Sequence, residues 1–489
     1  MTKSAYVPFM GGIDLVTPAT SLNPGAALLA INYECPVEGG YRSIEGYTKL
    51  GGTLPGQGNV LGVTVWAGNT YAIRENATAG AASLHKWDGA TWTSIIANLP
   101  VGRYDFAIGN LFATAAGENL YFVCPASKPY VYDGSTVAEL TGAQSGAQWI
   151  TTHRNHLFIG FIVGSVQFSA PGDASDWTTA GGAGEIGTGD ILNGLEPARG
   201  GVLVFLGQDS LRALFGSSSA DFEVRDISLN SGARPFSVSS MVTPYFINER
   251  GPTSLQAVDT FGDFAESNIG RQIQPLISDG FTPVASCVSR ELSQYRVWAS
   301  DGRGIRVTIS GNTLVGITLT QFPHAPVVAD GGEAASGIEI LVFGDKDGNV
   351  YQMDRGTSFA GDTIKATLTV AYNHVGQPSA RKRFRRAYIE SQGLDATEFF
   401  VLPSFSYGTE SIARHRKAAI DFFASGGLWD LDTWNNFAWS GPYQSDTPFS
   451  IAGSGINMNF SFYHESATTR PHSIKGYSLH YTMRRLNRG

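Results

Sequence analysis

NTYAIRE and LHKWDGATWTSI (residues 69–75 and 84–95) form the first of two similar units that decide the fold. The second consists of NLYFVC and YVYDGSTVAEL (residues 119–124 and 130–140). Each unit holds an alternating strand, a loop, a second strand ending in aromatic-Asp-Gly, and a further short strand. Asp88-Gly89 recurs as Asp133-Gly134, 45 residues later. An Asp-Gly pair between alternating strands is typical of a tight hairpin, so these four residues are predicted structural turns.

Fainter copies of the unit continue along the chain, at Asp301-Gly302 and in Asn349-x-Tyr351, which repeats Asn69-x-Tyr71. A period in the forties, with about four strands in each unit, is typical of β-propeller blades. The repeats cover roughly 300 residues, which is enough for about six or seven divergent blades. The sequence therefore predicts an all-β fold built on a β-propeller.

The two ends of the chain do not follow this period. Residues 1–55 are predicted to form an N-terminal arm, with a short helix that begins at Asn23. Residues 56–359 are assigned to the propeller, and the isoleucine spacing between Glu266 and Ile277 predicts a helix within it. Residues 360–489 alternate like sandwich strands and are predicted to form a C-terminal β-sandwich-like domain.

Charge is distributed unevenly along the 489 residues. The whole chain carries 34 Lys and Arg against 42 Asp and Glu, a net charge of −8. From Asp362 onward there are 14 basic and 10 acidic residues, a net of +4, which leaves −12 for the remainder. A free protein that binds a nucleic-acid backbone normally has the opposite overall sign. Two regions of opposite charge predict two domains with different neighbours.

Cysteine usage and hydropathy indicate a soluble protein. Cys35, Cys124 and Cys287 are sparse and far apart, which argues against a disulfide scaffold and fits a reducing cytosol. The opening MTKSAYVPFM lacks the apolar core of a signal peptide. The strongest apolar run, Leu157 to Val163, is far too short to cross a bilayer. We therefore expect no membrane insertion.

The sequence predicts a protein that is not an enzyme, with no catalytic, cofactor-binding or metal-binding residues. The nine histidines form no ligand set, and no nucleophile or zinc-protease signature occurs. The alternative is a glycan-binding or sialidase-like propeller enzyme or adhesin. DGATW at Asp88–Trp92 resembles the Asp-box turn of sialidase-like propellers, but it lacks the leading serine and one residue of spacing. An Asp box is an architectural turn, so the match indicates a fold and not catalysis.

A basic run, RKRFRR at residues 381–386, opens a strand of the C-terminal region. Regular alternation would place Arg385 on one face with Ala387 and Ile389. The run either contacts phosphates or an acidic protein surface, or protects an edge strand from aggregation. We predict contact with a protein partner in preference to DNA, through Arg381, Lys382, Arg383, Arg385 and Arg386.

Three tryptophans, Trp429, Trp434 and Trp439, recur every five residues, a spacing that fits neither one helix face nor one strand face. They predict an irregular aromatic loop. Such a loop either presents a partner-binding or sugar-stacking surface or folds onto the core of its own domain.

Several segments carry a family resemblance. Residues 11–50, with a Gly-Gly start, an Asn-Pro-Gly turn and GYRSIEGY, resemble the N-terminal arm of tailed-phage virion proteins. SAPGDASDW, LVFLGQDSLRALFG and VRDISLNSGARPFSV look like propeller blades of the same group, and FRRAYI and LWDLDTW resemble its C-terminal domain. The chain thus resembles the nozzle, or tail tubular protein B-like, propeller family of short-tailed bacteriophages.

The resemblance implies a structural virion protein that is assembled in the host cytoplasm and located in the phage tail. It implies a ring of copies, commonly a homohexamer, attached below the adaptor, or head-to-tail connector, that follows the portal. It also implies contact with a tail fibre, spike or needle protein and transient passage of genomic double-stranded DNA. A general protein-binding propeller of the host fits the two ends of the chain less well.

Overall fold

The computed structural model describes residues 2–78, 80–111, 117–198, 200–241, 243–255, 269–311, 313–393, 397–408, 418–422 and 443–484. These residues contain 39 strands, numbered along the chain, and short helices.

The N-terminal segment, predicted to be an arm, contributes strands to neighbouring sheets. Its strands are β1 (Lys3–Pro8), β2 (Gly11–Gly12), β3 (Ala27–Ile31), β4 (Tyr33–Glu34), β5 (Tyr41–Ser43) and β6 (Tyr47–Lys49). The helix predicted from Asn23 is wrong, because its Ala/Leu run is the strand β3. Ala27 and Ala30 are fully buried in the pairing of β3 with a C-terminal strand, and such tertiary pairing overrides local helix propensity.

Four antiparallel meanders of four strands come next, named blades I to IV. Their strands are β7 (Gln57–Trp66), β8 (Asn69–Glu75), β9 (Ala82–Trp87), β10 (Trp92–Leu99); β11 (Asp105–Gly109), β12 (Asn119–Val123), β13 (Tyr130–Tyr132), β14 (Val137–Glu139); β15 (Trp149–His153), β16 (His156–Phe161), β17 (Ser165–Phe168), β18 (Gly184–Gly187); and β19 (Leu192–Ala198), β20 (Val202–Gly207), β21 (Leu211–Phe215), β22 (Glu223–Ser228).

A three-stranded sheet and two further four-stranded blades, V and VI, complete the propeller. The three-stranded sheet holds β23 (Ser239–Ser240), β24 (Pro244–Asn248) and β25 (Gly251–Ser254). Blade V holds β26 (Pro283–Ser289), β27 (Gln294–Ala299), β28 (Arg303–Ser310) and β29 (Thr313–Gln321). Blade VI holds β30 (Pro326–Glu333), β31 (Glu339–Asp345), β32 (Val350–Met353) and, as its outermost strand, β6.

The seven sheets form a closed ring. The first strands of neighbouring sheets contact each other in the order β7, β11, β15, β19, β23, β26, β30 and back to β7. The prediction of an all-β propeller with about six or seven blades is therefore confirmed.

Strand β6 closes the ring by pairing antiparallel with β32, Tyr47 opposite Met353. The Tyr47 ring is buried and stacks on Phe359 with the ring centroids 5.0 Å apart. It also meets the Phe343 ring edge-on at 5.0 Å, and its hydroxyl lies 2.9 Å from Nδ1 of His324. A strand from the start of the chain thus completes the last blade through an aromatic cluster.

The C-terminal region forms two facing sheets. Its strands are β33 (Ile364–Val370), β34 (Lys382–Gly393), β35 (Thr397–Phe405), β36 (Ala418–Phe422), β37 (Tyr443–Gly455), β38 (Met458–Ser466) and β39 (Ser473–Met483). Strands β33, β38, β35 and β36 continue the sheet of blade V through β3. Strands β37, β34 and β39 form the second sheet with β1, β4 and β5. Buried side chains from both sheets, including Phe384, Phe460 and Leu479, share one core.

Buried charges fix the N-terminal segment to the propeller. Glu34 accepts from Nη1 of Arg306 at 3.0 Å and from the amide of Gln294 at 2.9 Å. Arg296 in turn pairs with Asp354 at 2.7 Å. Because an unpaired buried charge costs several kcal/mol, strand β4 is held in one position against blade V.

Helices are few in the described ranges. A 3₁₀ turn (Arg271–Ile273) and α1 (Gln274–Ser278) overlap the helix predicted between Glu266 and Ile277, and Ile273 and Ile277 are buried. Two other 3₁₀ turns cover Thr179–Gly181 and Ser406–Gly408. Across the part of the chain that the structure describes, no helix has the length and apolar character needed to cross a membrane.

We expect Tyr47→Ala to destabilise the protein by about 3–5 kcal/mol, because it removes a buried ring from the closing strand. Tyr47→Phe, which loses only the hydroxyl contact to His324, should cost about 1 kcal/mol. Urea unfolding followed by tryptophan fluorescence measures both. Equal losses for the two variants would contradict a packing role for the ring.

Candidate functional site

A channel runs along the propeller axis between the first strands of the sheets. It contains a cavity of about 280 Å³ and a wider one of about 870 Å³. Both cavities are lined by one residue from each of five sheets: Ile108, Glu196, Ser239, Ser286 and Asp330. The two cavities are therefore consecutive parts of one axial channel.

Three carboxylates from different blades line the narrow part of this channel: Asp105 of β11, Glu196 of β19 and Asp330 of β30. The Asp105 carboxylate accepts a hydrogen bond of 2.9 Å from the backbone N–H of Ile150 on the neighbouring blade. First strands of a propeller all face its axis, so residues distant in sequence converge there.

Burial raises the pKa of each carboxyl, and repulsion by neighbouring carboxylates adds to the effect for Asp105 and Glu196. The enclosing protein raises the pKa of Asp105 to about 7, with a contribution from the charge of Asp330. Desolvation, followed by the charges of Asp105 and Asp330, raises the pKa of Glu196 to about 8. Desolvation raises the pKa of Asp330 to about 6. Near neutral pH the channel therefore holds protons as well as negative charge.

One cation, Arg103, lies beside this group. Its guanidinium carbon is 3.8 Å from the centre of the Phe236 ring, a cation–π arrangement, and Nη1 donates to the carbonyl oxygen of Val327 at 2.9 Å. Burial lowers the pKa of Arg103 to about 10, against the opposing charge of Asp105. A single cation does not balance three carboxyl groups.

The wider part of the channel is also acidic. Its lining includes Glu118, Glu333 and Glu339. Arg290 pairs with Glu333 at 2.8 Å and with Glu339 at 3.5 Å. In the described ranges, no group of three or more His, Cys, Asp or Glu side chains is arranged to hold a metal ion. The channel can bind protons and repel anions.

The sequence did not single out these channel residues. Asp105 and Asp330 are isolated acids in otherwise ordinary strand sequences, DFAIG and PVVADGGE. An acidic residue in the first strand of a repeat, where apolar residues dominate, would have indicated a channel residue. The first strands can be recognised only after each strand has been assigned to a blade.

The predicted turns at Asp88-Gly89 and Asp133-Gly134 occupy equivalent places in blades I and II, between the third and fourth strands. The Asp88 carboxylate accepts from the N–H of Ala90 at 2.8 Å and of Thr91 at 2.6 Å. Asp133 accepts from Ser135 and Thr136 in the same way, and these bonds lower the pKa of both carboxyls. Gly89 and Gly134 have φ of +97° and +95°, a conformation that favours glycine. Asp88 lies in an exposed turn, away from the channel.

The basic run lies on β34, between β37 and β39, so it does not form an edge strand. In the pairing with β39, a register shift between Phe384 and Arg386 makes Arg385 an extra residue of β34. In the pairing with β37, the shift at the same place puts the extra residue on β37. The prediction that Arg385 shares a face with Ala387 and Ile389 is therefore wrong: Ala387 and Ile389 point into the core with Phe384, whereas Arg386 is exposed.

Lys382 is not available to a partner, contrary to the prediction. Its side chain is fully buried, and Nζ donates to the carbonyl oxygens of Gln377 and of Ile456, the latter at 2.8 Å. Burial lowers the pKa of Lys382 to about 8. Arg381, Arg383, Arg385 and Arg386 are exposed. Trp429, Trp434 and Trp439 lie outside the described residues.

No family model matches the chain, and no curated protein matches its sequence. Similar solved structures include Raptor of Chaetomium thermophilum (TM-score 0.44, 9% identity, 64% of this chain and 30% of that one). Another is virginiamycin B lyase of Staphylococcus aureus (TM-score 0.42, 13% identity, 61% of this chain and 95% of that one). A third is the Pan2 WD40 domain of Neurospora crassa (TM-score 0.40, 11% identity, 63% of this chain and 94% of that one). The strand pairing defines the chain as a β-propeller protein, and similarity at these identities concerns the fold alone.

The raised pKa values predict a stability that depends on pH. A folded state that binds protons more tightly than the unfolded chain loses stability as pH rises from about 4, the ordinary carboxyl pKa, to about 8. Glu196→Gln should therefore raise the free energy of unfolding at pH 8 by about 1 kcal/mol, a value reduced for screening by channel solvent. At pH 4 it should change little.

Urea titrations at both pH values measure this effect, with the exposed Glu139→Gln as the matched control. An equal gain for Glu196→Gln at pH 4 and pH 8 would contradict the electrostatic explanation.

Proposed function

We propose that this chain is a structural, non-catalytic component of a bacteriophage tail, a nozzle subunit that forms part of the DNA-ejection conduit below the portal and adaptor. The observation that carries the proposal is the closed architecture: β6 completes blade VI, β1, β3 and β5 pair with C-terminal strands, and β4 pairs with β5. A rigid disc with protected strand edges suits a load-bearing ring subunit.

The size of the axial channel supports one feature of this proposal. A cavity of about 280 Å³ lies in the range of a small-molecule pocket and cannot hold duplex DNA. The conduit therefore lies between copies and not through a propeller. A surface that is acidic over most of the chain would repel phosphates and let the DNA slide.

The other parts of the proposal concern location and partners. The subunit would act in the virion tail, as a ring of six copies, after assembly in the host cytoplasm. The adaptor protein would hold the ring on one side, and a fibre, spike or needle protein would attach on the other.

A second candidate function is a glycan-directed enzyme or adhesin, and one observation favours it. Glu196, with its pKa raised to about 8, lies in a channel with Asp105 and Asp330, and glycosidases use a protonated carboxyl beside an ionised one. This function predicts polysaccharide hydrolysis that disappears in Glu196→Gln while the fold is retained. Asp88→Asn would leave such activity unchanged, because Asp88 lies in a turn.

The nozzle proposal predicts that particles lacking this protein package DNA but leak it or fail to infect. The measurement is plaque titre together with DNA retention in particles produced without the gene, with the wild-type gene supplied in trans as the control. Electron microscopy of these particles should show missing density below the portal. Undiminished infectivity without the protein would refute the conduit role.

A further inference from the structure

The outer face of the second C-terminal sheet carries exposed cations among aromatic and small polar side chains. Pairing aligns Arg386 of β34 with His480 of β39, and the next outward residue, Tyr388, with Ser478. The Tyr388 and His480 rings are 5.3 Å apart, and Nη1 of Arg386 donates to the Tyr388 hydroxyl at 3.2 Å. Arginine and tyrosine are the residues enriched at the centres of protein interfaces.

Three arginines of this face, Arg383, Arg385 and Arg386, are exposed and form no ion pair with an acid in the described part of the chain. Glu390, a described acid on β34, accepts a hydrogen bond from the Tyr6 hydroxyl at 2.6 Å. That hydrogen bond leaves the charge of Glu390 in place, so the face has these three arginines against one carboxylate and is positive overall.

The opposite charge lies across the propeller, on blades II and III. Between Asp105 and Gly187 the sequence has seven acidic and two basic residues. Without Asp105 and Glu118, which line the channel, five acidic residues stand against two basic ones, a net of −3. Exposed carboxylates stand on the outermost strands of these blades, Glu139 on β14 and Glu185 on β18. Blade IV differs, because Arg212 and Arg225 neutralise its outer acids, Asp226 and Glu223.

The ring order sets the two surfaces far apart in one molecule. The C-terminal sheets attach to the propeller at blade V, through β3 on β29, and the chain continues from β5 into β6 on blade VI. Around the ring of seven, blade III is three sheets away from both blade V and blade VI, and blade II is three sheets from blade V and two from blade VI. The two surfaces of one chain therefore cannot pair with each other, but those of successive copies can.

We propose that the outer face of the C-terminal sheet in one copy of this chain docks on the outer edge of blades II and III in a second copy. The contact joins two different surfaces and is therefore heterologous, so its repetition closes into a ring when the rotation permits. The proposal rests on the proposed function only in assuming that copies assemble, and it names the two surfaces that meet.

A charge-exchange experiment with the full chain tests the contact. The sheet variant combines Arg383→Glu with Arg386→Glu, and the blade variant combines Glu139→Lys with Glu185→Lys. Each variant alone places like charges against each other, whereas an equimolar mixture restores opposite charges at each contact between unlike copies, which can alternate around a ring of six. The matched control, Lys346→Glu with Lys49→Glu, changes the net charge as the sheet variant does but alters exposed residues of blade VI.

Sedimentation velocity at low salt measures association, and circular dichroism checks that each variant folds. We expect self-association of the wild type that weakens as salt rises, at least roughly tenfold weaker association for each variant alone, and recovery in the mixture. The control should behave as the wild type. A wild type that remains monomeric at low salt, or variants that associate normally, would overturn the proposal.

Binding of a short labelled DNA duplex to the same variants tests whether the partner of the sheet face is DNA instead of a second copy of this chain. If the sheet variant loses DNA binding while its self-association is unchanged, the face is a phosphate-binding surface and the proposal is wrong. Failure of the contact would leave the tail role intact, because particle infectivity tests that role separately.

Discussion

The closure of the propeller by β6 is the constraint on which the remaining structure depends. A ring of sheets has a first and a last blade, and only a strand that returns from the other end of the chain prevents an open seam. Here Tyr47 supplies that strand with a buried ring between Phe359 and Phe343. The same short segment then leads back to β5 and β4, so the closing strand also determines where the C-terminal sheets attach.

The attachment explains why buried charges are tolerated beside the propeller. Arg296 and Arg306 are almost fully buried, and a buried cation without a partner would be strongly destabilising. Glu34 and Asp354 provide the opposing charges from the N-terminal segment and from the residue after β32. Because the partners come from distant parts of the chain, the pairs form only when the propeller is closed and the N-terminal strands are in position. Such pairs specify an arrangement more than they stabilise it.

Electrostatics connects the architecture with the proposed roles. The channel gathers Asp105, Glu196 and Asp330 because first strands converge on an axis. Their burial, with repulsion as a smaller contribution for Asp105 and Glu196, raises their pKa values toward neutral pH. The outer surface, in contrast, has a positive region and a negative region: exposed arginines lie on one C-terminal sheet and exposed carboxylates on blades II and III. A molecule with a closed acidic axis and two complementary outer surfaces is suited to contacts at its perimeter.

The sequence by itself determined the class of fold, because a hairpin turn such as Asp88-Gly89 and the alternation of its flanking strands are local properties that recur with the blade period. It also located the basic run and the turn residues. Only the tertiary structure decided that residues 27–31 form a strand, that Lys382 is buried and that Asp105, Glu196 and Asp330 meet. These outcomes depend on pairing between distant segments and on one inserted residue at Arg385, which reverses the alternation of every position after it.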